Sequence, residues 1–483
     1  LMLLTPEINY GLKKPIYMQI HDYLIKEIVE GRLMKNDKLP SVRVFSNHLG
    51  ISRNSVENAF NQLLAEGYIL SIPKKGYYVA EIEDIIGRKI KKTEDVLQKT
   101  KEQYTYDFKS EYVAKDSFDY KLWKKHLNHV MNYEVDVLYE HGDPRGEYIL
   151  RMAIARHFYS TRGVEARPDH IVIGGGITPL LTILVKLFDD LKLDDIGMEN
   201  PGFNKAKHVF DYSHLKTVPI DVNERGIDIA LLYMKKVRLC YVSPSHQFPT
   251  GTIMPVDNRL KLLNWAEKVN GYIIEDDYNA ELRFEGQPIP AMQSLDEGDR
   301  VIYLGSFSTV LAPGIRISFM VLPSVLNQHY AKNIEYFSQT ASKLEQLALS
   351  KLIESGDFDR HVRKIRNYYA KKQGNVLKYI KAHLPKEVIP EHGKAGLQIM
   401  LKLPDGWNEA GVVRACENNG IGISGLGIYR SINKKPSKPY LILGYRGIDE
   451  KRMEGGIKEL GKVLMMYKET YDEKSPIGKR FLI

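Results

Sequence analysis

The chemistry-bearing residues of this chain fall into a few short clusters. Tyr303-Leu-Gly-Ser306-Phe-Ser308-Thr309 is followed, seven residues after Thr309, by Arg316. Hydroxyls and backbone N–H groups donate to anions and a guanidinium adds a bidentate charge, so this loop suits a phosphate. Gly174-Gly175-Gly176-Ile177 precedes a helical stretch from Leu180 to Phe188, and a glycine turn at a helix start can cradle the same group. Glu275-Asp276-Asp277-Tyr278 places carboxylates at the tip of an apolar run, a costly arrangement unless a cation or donor meets each one. No His or Cys spacing beside those acids supports a metal. Phe203, beside the turn Glu199-Asn-Pro-Gly, could stack on a planar ring. Ser243-Pro-Ser-His246-Gln-Phe-Pro-Thr-Gly251 adds a hydrogen-bonding loop in which a lone histidine is more often structural.

Four of the clusters follow a strand-like run: His170-Ile-Val-Ile, Leu239-Cys-Tyr-Val, Gly271-Tyr-Ile-Ile and Val301-Ile-Tyr-Leu. Strands alternating with helical stretches, each ending in a polar or glycine-rich loop, predict an α/β sheet with its site at the strands' carboxyl ends. A chain of 483 residues is long enough for two to four domains. Its composition, 43% hydrophobic and 27% charged, is that of an ordinary globular protein. The net charge of +9 permits a nucleic-acid partner without requiring one. With only Cys240 and Cys416 there is no disulfide framework, which points to a reducing cytoplasm. The opening Leu-Met-Leu-Leu-Thr-Pro has no basic n-region, so no signal peptide is expected, and no apolar run is long enough for a membrane span.

The first eighty residues follow a different plan. A helix is expected from Pro15 to Gly31, with Ile16, Ile20, Leu24 and Ile28 on one face. Ser41 caps a short helix through Leu49, Gly50 turns the chain, and Ser52 caps a second helix from Arg53 to about Glu66. Two β-rich runs joined by Pro73-Lys74-Lys75 then form a hairpin with a basic tip. The second helix carries Arg53, Asn54 and Ser55 in its first turn, where recognition helices contact bases and phosphates. Leu39-Pro-Ser-Val-Arg-Val-Phe-Ser-Asn-His-Leu-Gly-Ile-Ser-Arg-Asn-Ser-Val resembles the GntR-family winged helix-turn-helix. The resemblance implies that Ser41, Arg43, Arg53, Asn54, Ser55, Lys75 and Gly76 meet double-stranded DNA. On this reading residues 1–80 are the DNA-binding domain, 81–104 a charged linker, and 105–483 the α/β body.

Taken together and in this order, the clusters of the body resemble the aminotransferase-like domain of MocR/GabR-type GntR regulators, a fold-type I pyridoxal-phosphate (PLP) fold. Pro244–Gly251 and Ile274–Tyr278 are the most telling stretches. The resemblance implies that Asp276 pairs with the protonated pyridine nitrogen, Tyr278 bonds near the ring hydroxyl and Phe203 stacks on the ring. Gly176, Ile177, Ser306, Ser308 and Arg316 would hold the phosphate, with His246 and Thr309 counted among the cofactor contacts. It also implies a homodimer and a small amino-acid-like effector. The usual strand arginine for a substrate carboxylate is absent from Tyr440-Leu-Ile-Leu-Gly-Tyr445, so Arg430 and Lys205 are the expected effector contacts.

Thr309 occupies the position of the family's Schiff-base lysine. A threonine has no amine and is a poor base near neutral pH, so covalent PLP attachment is in doubt and no transaminase turnover is expected. The favoured reading is a DNA-binding regulator that senses PLP, an amino-acid-like effector, or both. One alternative is a working aminotransferase with a DNA-binding appendage. Another is a constitutive DNA binder that uses the body only to dimerise.

Overall fold

The computed structural model describes residues 4–12, 14–81, 104–109, 113, 117–279, 281–284, 289–391, 396–431 and 438–474. The chain divides into two compact units, Leu1–Glu102 and Gln103–Ile483. The linker expected over 81–104 falls almost entirely outside the described residues.

The first unit is helical with a β-wing. Helix α1 (Ile16–Val29) buries Ile20, Leu24 and Ile28. Helix α2 (Val42–Leu49) starts where the Ser41 hydroxyl accepts the Val44 N–H, and it ends at Gly50, whose φ of 64° suits a residue without a Cβ. Helix α3 (Arg53–Ala65) starts at Ser52, which caps the Ser55 N–H, and it buries Val56, Ala59, Phe60 and Leu63. Strands β1 (Ile69–Ile72) and β2 (Gly76–Val79) pair antiparallel. Leu39 N–H donates to the Tyr77 carbonyl at 2.9 Å, which ties the segment before α2 to the wing. One apolar cluster from all three helices and both strands forms the core of this unit.

The second unit opens with β3 (Tyr106–Asp107), α4 (Tyr120–Tyr133) and α5 (Tyr148–Arg162). The elements β4 (Ile171–Gly174), α6 (Ile177–Asp190), β5 (Asp195–Asn200), α7 (Asn204–Tyr212), β6 (Lys216–Asn223), β7 (Gly226–Ile227), α8 (Ile229–Lys235), β8 (Leu239–Val242), α9 (Val256–Lys268), β9 (Tyr272–Asp277), β10 (Val301–Ser306) and β11 (Ser318–Val321) follow. They build an eight-stranded sheet of order β4-β11-β10-β9-β8-β5-β6-β7. Both pairings of β11, with β4 and with β10, are antiparallel. Strand β4 therefore runs with β10, β9, β8, β5 and β6, and their carboxyl ends share one edge. Ser318, at the amino end of β11, meets that edge between Gly174 and Ser306.

The period-two alternation of β9 sends its residues to two different cores. Tyr272 and Ile274 join α6 and α7 on one face, whereas Ile273 joins α9 on the other. The remaining chain forms α10 (Ser324–Lys332), α11 (Lys343–Glu354), α12 (Asp357–His383), β12 (Ile389–Glu391), β13 (Gln398–Lys402), α13 (Glu409–Asn418), β14 (Ile421–Gly422), β15 (Ser424–Gly425), β16 (Tyr440–Gly444) and α14 (Glu450–Lys474). A second sheet has the order β12-β13-β16-β15, and β3 pairs parallel with β14.

Candidate functional site

The strand-end clusters meet at one cavity of about 300 Å3 in the large unit. Of the residues singled out from sequence, Gly176, Ile177, Phe203, Lys205, Asp276, Tyr278, Ser306, Ser308, Thr309 and Arg316 line it. Two do not. His246 packs beneath Tyr278, ring centroids 6.0 Å apart, and its buried Nδ1 has no hydrogen-bond partner. Burial lowers its pKa to about 4, which keeps the imidazole neutral. Arg430 follows a 3-10 turn that brings Tyr429 to the cavity, and Arg430 itself lines a smaller pocket with Asn200, Lys207 and Thr217.

The three acids of β9 are separated by the pleat. Glu275 accepts the backbone N–H groups of Met292 at 2.7 Å and Gln293 at 2.9 Å. Asp277 takes an ion pair from Arg162 at 2.6 Å and the Tyr303 hydroxyl at 2.7 Å. Asp276 points to the opposite face, onto the cavity, where it accepts a hydrogen bond from the Tyr241 hydroxyl. Burial is the main cause that lifts the Asp276 pKa to about 7; the Tyr241 bond lowers it in part and Asp277 raises it. A cationic N–H placed against this carboxylate would relieve the cost of its burial. The buried hydroxyl of Tyr278 makes no hydrogen bond of good geometry, with the Asn279 amide close by.

The cavity wall also gathers a glycine turn, a helix start, hydroxyls and a guanidinium. Gly176 has a φ of 95° and precedes α6, whose first N–H groups have no intrahelical partner. A Cβ on Gly176 would stand 2.5 Å from the Arg316 guanidinium, so glycine lets the arginine lie against the turn. Gly175 N–H is held by the Thr340 hydroxyl at 2.8 Å. Ser318 donates to Ser306 Oγ at 2.9 Å. Thr309 donates its hydroxyl to the Tyr278 carbonyl at 3.0 Å, which joins the loops after β9 and β10.

Sequence reasoning missed several wall residues, including Phe108, Lys109, Phe248, Ser318, Gln398 and Arg446. Phe248 lies within the Pro244–Gly251 stretch and was within reach. The others come from distant elements, and only the folded topology brings them in. Arg446 donates to the carbonyls of Ser308 at 2.8 Å and Thr309 at 3.0 Å, bracing the phosphate-type loop.

In the small unit Arg43, Arg53, Asn54 and Lys75 are exposed, as a contact with DNA would require. The hydroxyls of Ser41 and Ser55 are engaged in the helix caps of α2 and α3. Gly76 sits at the wing turn with a φ of 107°.

The description "Bacterial regulatory proteins, gntR family" matches residues 16–79, and "Aminotransferase class I and II" matches residues 121–403. The uncharacterized HTH-type transcriptional regulator YdeL of Bacillus subtilis (strain 168) is 35% identical over 461 residues, covering 95% of this chain and 99% of the relative. The chain belongs to the MocR-type GntR regulators. The probable rhizopine catabolism regulatory protein MocR of Rhizobium meliloti is 32% identical to it across 92% of this chain and 93% of its own. Among solved structures, the regulator resembles the kynurenine aminotransferase of Pyrococcus horikoshii with a TM-score of 0.67 and 23% identity, over 75% of this chain and 91% of that one. The large unit thus has the fold-type I aminotransferase architecture, that of a PLP-dependent family. Among the described residues, no helix is long and apolar enough to cross a membrane.

Proposed function

We propose that this regulator binds DNA through its winged helix and uses the large cavity to sense PLP, an amino-acid-like effector, or both, without transaminase turnover. The observation that carries the reading is residue 309: a threonine on the cavity wall, with its hydroxyl donated to a backbone carbonyl. The residues present fit PLP. Asp276 is a buried carboxylate short of a cation, Tyr278 offers a buried hydroxyl, and Phe203 lines the same cavity. Gly176, Ile177, Ser306, Ser308 and Arg316 supply donors for its phosphate. When bound, PLP supplies an aldehyde that condenses with amines.

In this reading Thr309 neither holds the cofactor covalently nor moves a proton at the ligand. Lys109 is a poor substitute nucleophile. Burial alone would lower its pKa, but hydrogen bonds with Glu417 and Tyr104 outweigh that and hold it above the ordinary value, as an ammonium. Arg53 and Asn54 at the start of α3, with Arg43 and Lys75, are the proposed DNA contacts; Lys205 on the cavity wall and Arg430 in the smaller pocket that shares Phe203 and Tyr429 with it are the proposed effector contacts. A homodimer and a cytoplasmic setting belong to the same proposal, and light scattering of the purified chain tests the first.

The deciding experiment is an absorbance titration with PLP. A shifted chromophore that borohydride fails to fix to the protein, with no steady-state conversion of amino acid plus keto acid, is expected. Turnover above background would favour an aminotransferase with an appended DNA-binding unit. A gel shift that ignores PLP and amino acids would favour a constitutive DNA binder.

A further inference from the structure

The cavity wall carries four cations, Lys109, Lys205, Arg316 and Arg446, and Asp276 is its one acidic residue among those described. Arg316 lies against the glycine turn at the phosphate end, and Arg446 is engaged with the carbonyls of Ser308 and Thr309. Lys205 is exposed at the start of α7. Lys109 differs from all three. It reaches the wall from the residue pair after β3, its side chain 32% exposed, with Nζ 2.6 Å from Glu417 Oε1 and 3.2 Å from Tyr104 Oη. An ammonium has three N–H donors, and among the described residues these two partners leave one. The backbone beside Lys109 is pinned: Phe108 N–H donates to the Gly422 carbonyl at 2.7 Å and Gly444 N–H to the Phe108 carbonyl at 3.0 Å.

We propose that Lys109 anchors a second anionic group, a carboxylate, on a ligand whose phosphate is held at Arg316, and that it does so by releasing or sharing Glu417. The inference rests on the reading above that the cavity takes a PLP-type ligand. A phosphate answers the charge of Arg316 and the α6 terminus, so cationic charge remains elsewhere on the wall. Glu417, on α13, supplies Lys109 with the carboxylate that a ligand would otherwise bring. Strand β16 offers no alternative, because it contributes Ile442 and Gly444 to the wall where an arginine could have stood. Binding of a carboxylate at Lys109 would also loosen the tie between α13 and the segment that follows the DNA-binding unit in the chain.

The test titrates the full-length protein calorimetrically with reduced N-(5'-phosphopyridoxyl) conjugates of short ω-amino acids and with the matching conjugates of amines that lack the carboxylate. Wild-type protein is expected to bind at least one acid conjugate ~10–100-fold more tightly than its amine counterpart, the span of a charge-assisted hydrogen bond. Lys109→Met should abolish that preference and leave amine-conjugate binding unchanged, which also reports that the variant is folded. Glu417→Gln, which removes the competing carboxylate, should tighten the acid conjugate several-fold and leave the amine conjugate alone. The anchor is overturned if wild type shows no acid preference, or if the preference survives in Lys109→Met. If neither conjugate nor PLP binds, the cofactor reading falls and the anchor with it.

Discussion

The two units place their functional residues by different means. In the winged helix every expected DNA contact lies between Ser41 and Gly76, and each is set by a cap or turn within a few residues of it. In the large unit the cavity wall runs from Phe108 to Arg446, and neighbours in space are hundreds of residues apart in sequence. Local chemistry fixes the first kind of site. The second depends on sheet order, on which way each strand runs and on which face the pleat gives each residue.

If that contrast holds, damage to one unit should leave the other working. Phe60 is fully buried in the core of the small unit, and Phe60→Ala is expected to cost ~3–5 kcal/mol there. DNA binding in a gel shift should collapse, while PLP binding by the same protein persists. Joint loss of both activities would show that the units do not fold independently.

Asp276→Asn attacks the large unit alone. It should weaken PLP binding at least ~10-fold, as expected for losing a charged partner to the pyridine nitrogen, with DNA affinity in the absence of ligand unchanged. Its effect on stability carries a sign. The folded carboxyl titrates near pH 7 against a reference value of 3.8. Between those values the native state holds a proton that the unfolded chain has lost, so native stability falls as pH rises through that window. Ligand-free Asp276→Asn should therefore match wild type near pH 4, gain on it up to pH 7, and hold a few degrees of advantage in melting temperature above that.

Gly176→Ala probes the phosphate end, since it adds a strained φ and pushes on Arg316. A PLP affinity lower by about tenfold, with little change in the melting temperature of the small unit, is the expected calorimetric result. The smallest effect belongs to Ser52→Ala. Loss of the α3 cap should cost ~0.5–2 kcal/mol, lowering DNA affinity modestly and leaving PLP titrations untouched.

Much of this architecture was legible in the sequence. Ser41, Gly50 and Ser52 marked helix boundaries because capping is a local contest for backbone N–H groups, and the structure starts α2 and α3 at those caps. The apolar runs before Gly174, Ser243, Glu275 and Gly305 became strands with their carboxyl ends on one edge. What escaped was orientation and long-range company. Asp276 and Asp277 are adjacent and alike in sequence, yet one faces the cavity and the other a buried arginine. Arg430 is expected among the effector contacts; the 3-10 turn before it sets Tyr429 on the cavity wall and Arg430 in the smaller pocket. Lys109 and Arg446 carry no motif; they reach the cavity because Phe108 adds to the edge of Gly422 and Gly444, and because β16 ends beside the loop after β10.

A threonine rather than an amine at residue 309 bears on what quantity the pocket can report. An enzyme that consumes its ligand reports a flux, because occupancy depends on how fast product leaves. A pocket with no reactive amine at residue 309 neither traps nor transforms what enters there, so on the proposed reading its occupancy follows the free concentration alone. Its signal to the promoter is then a level, memoryless and reversible on dilution, half-maximal where the concentration equals Kd.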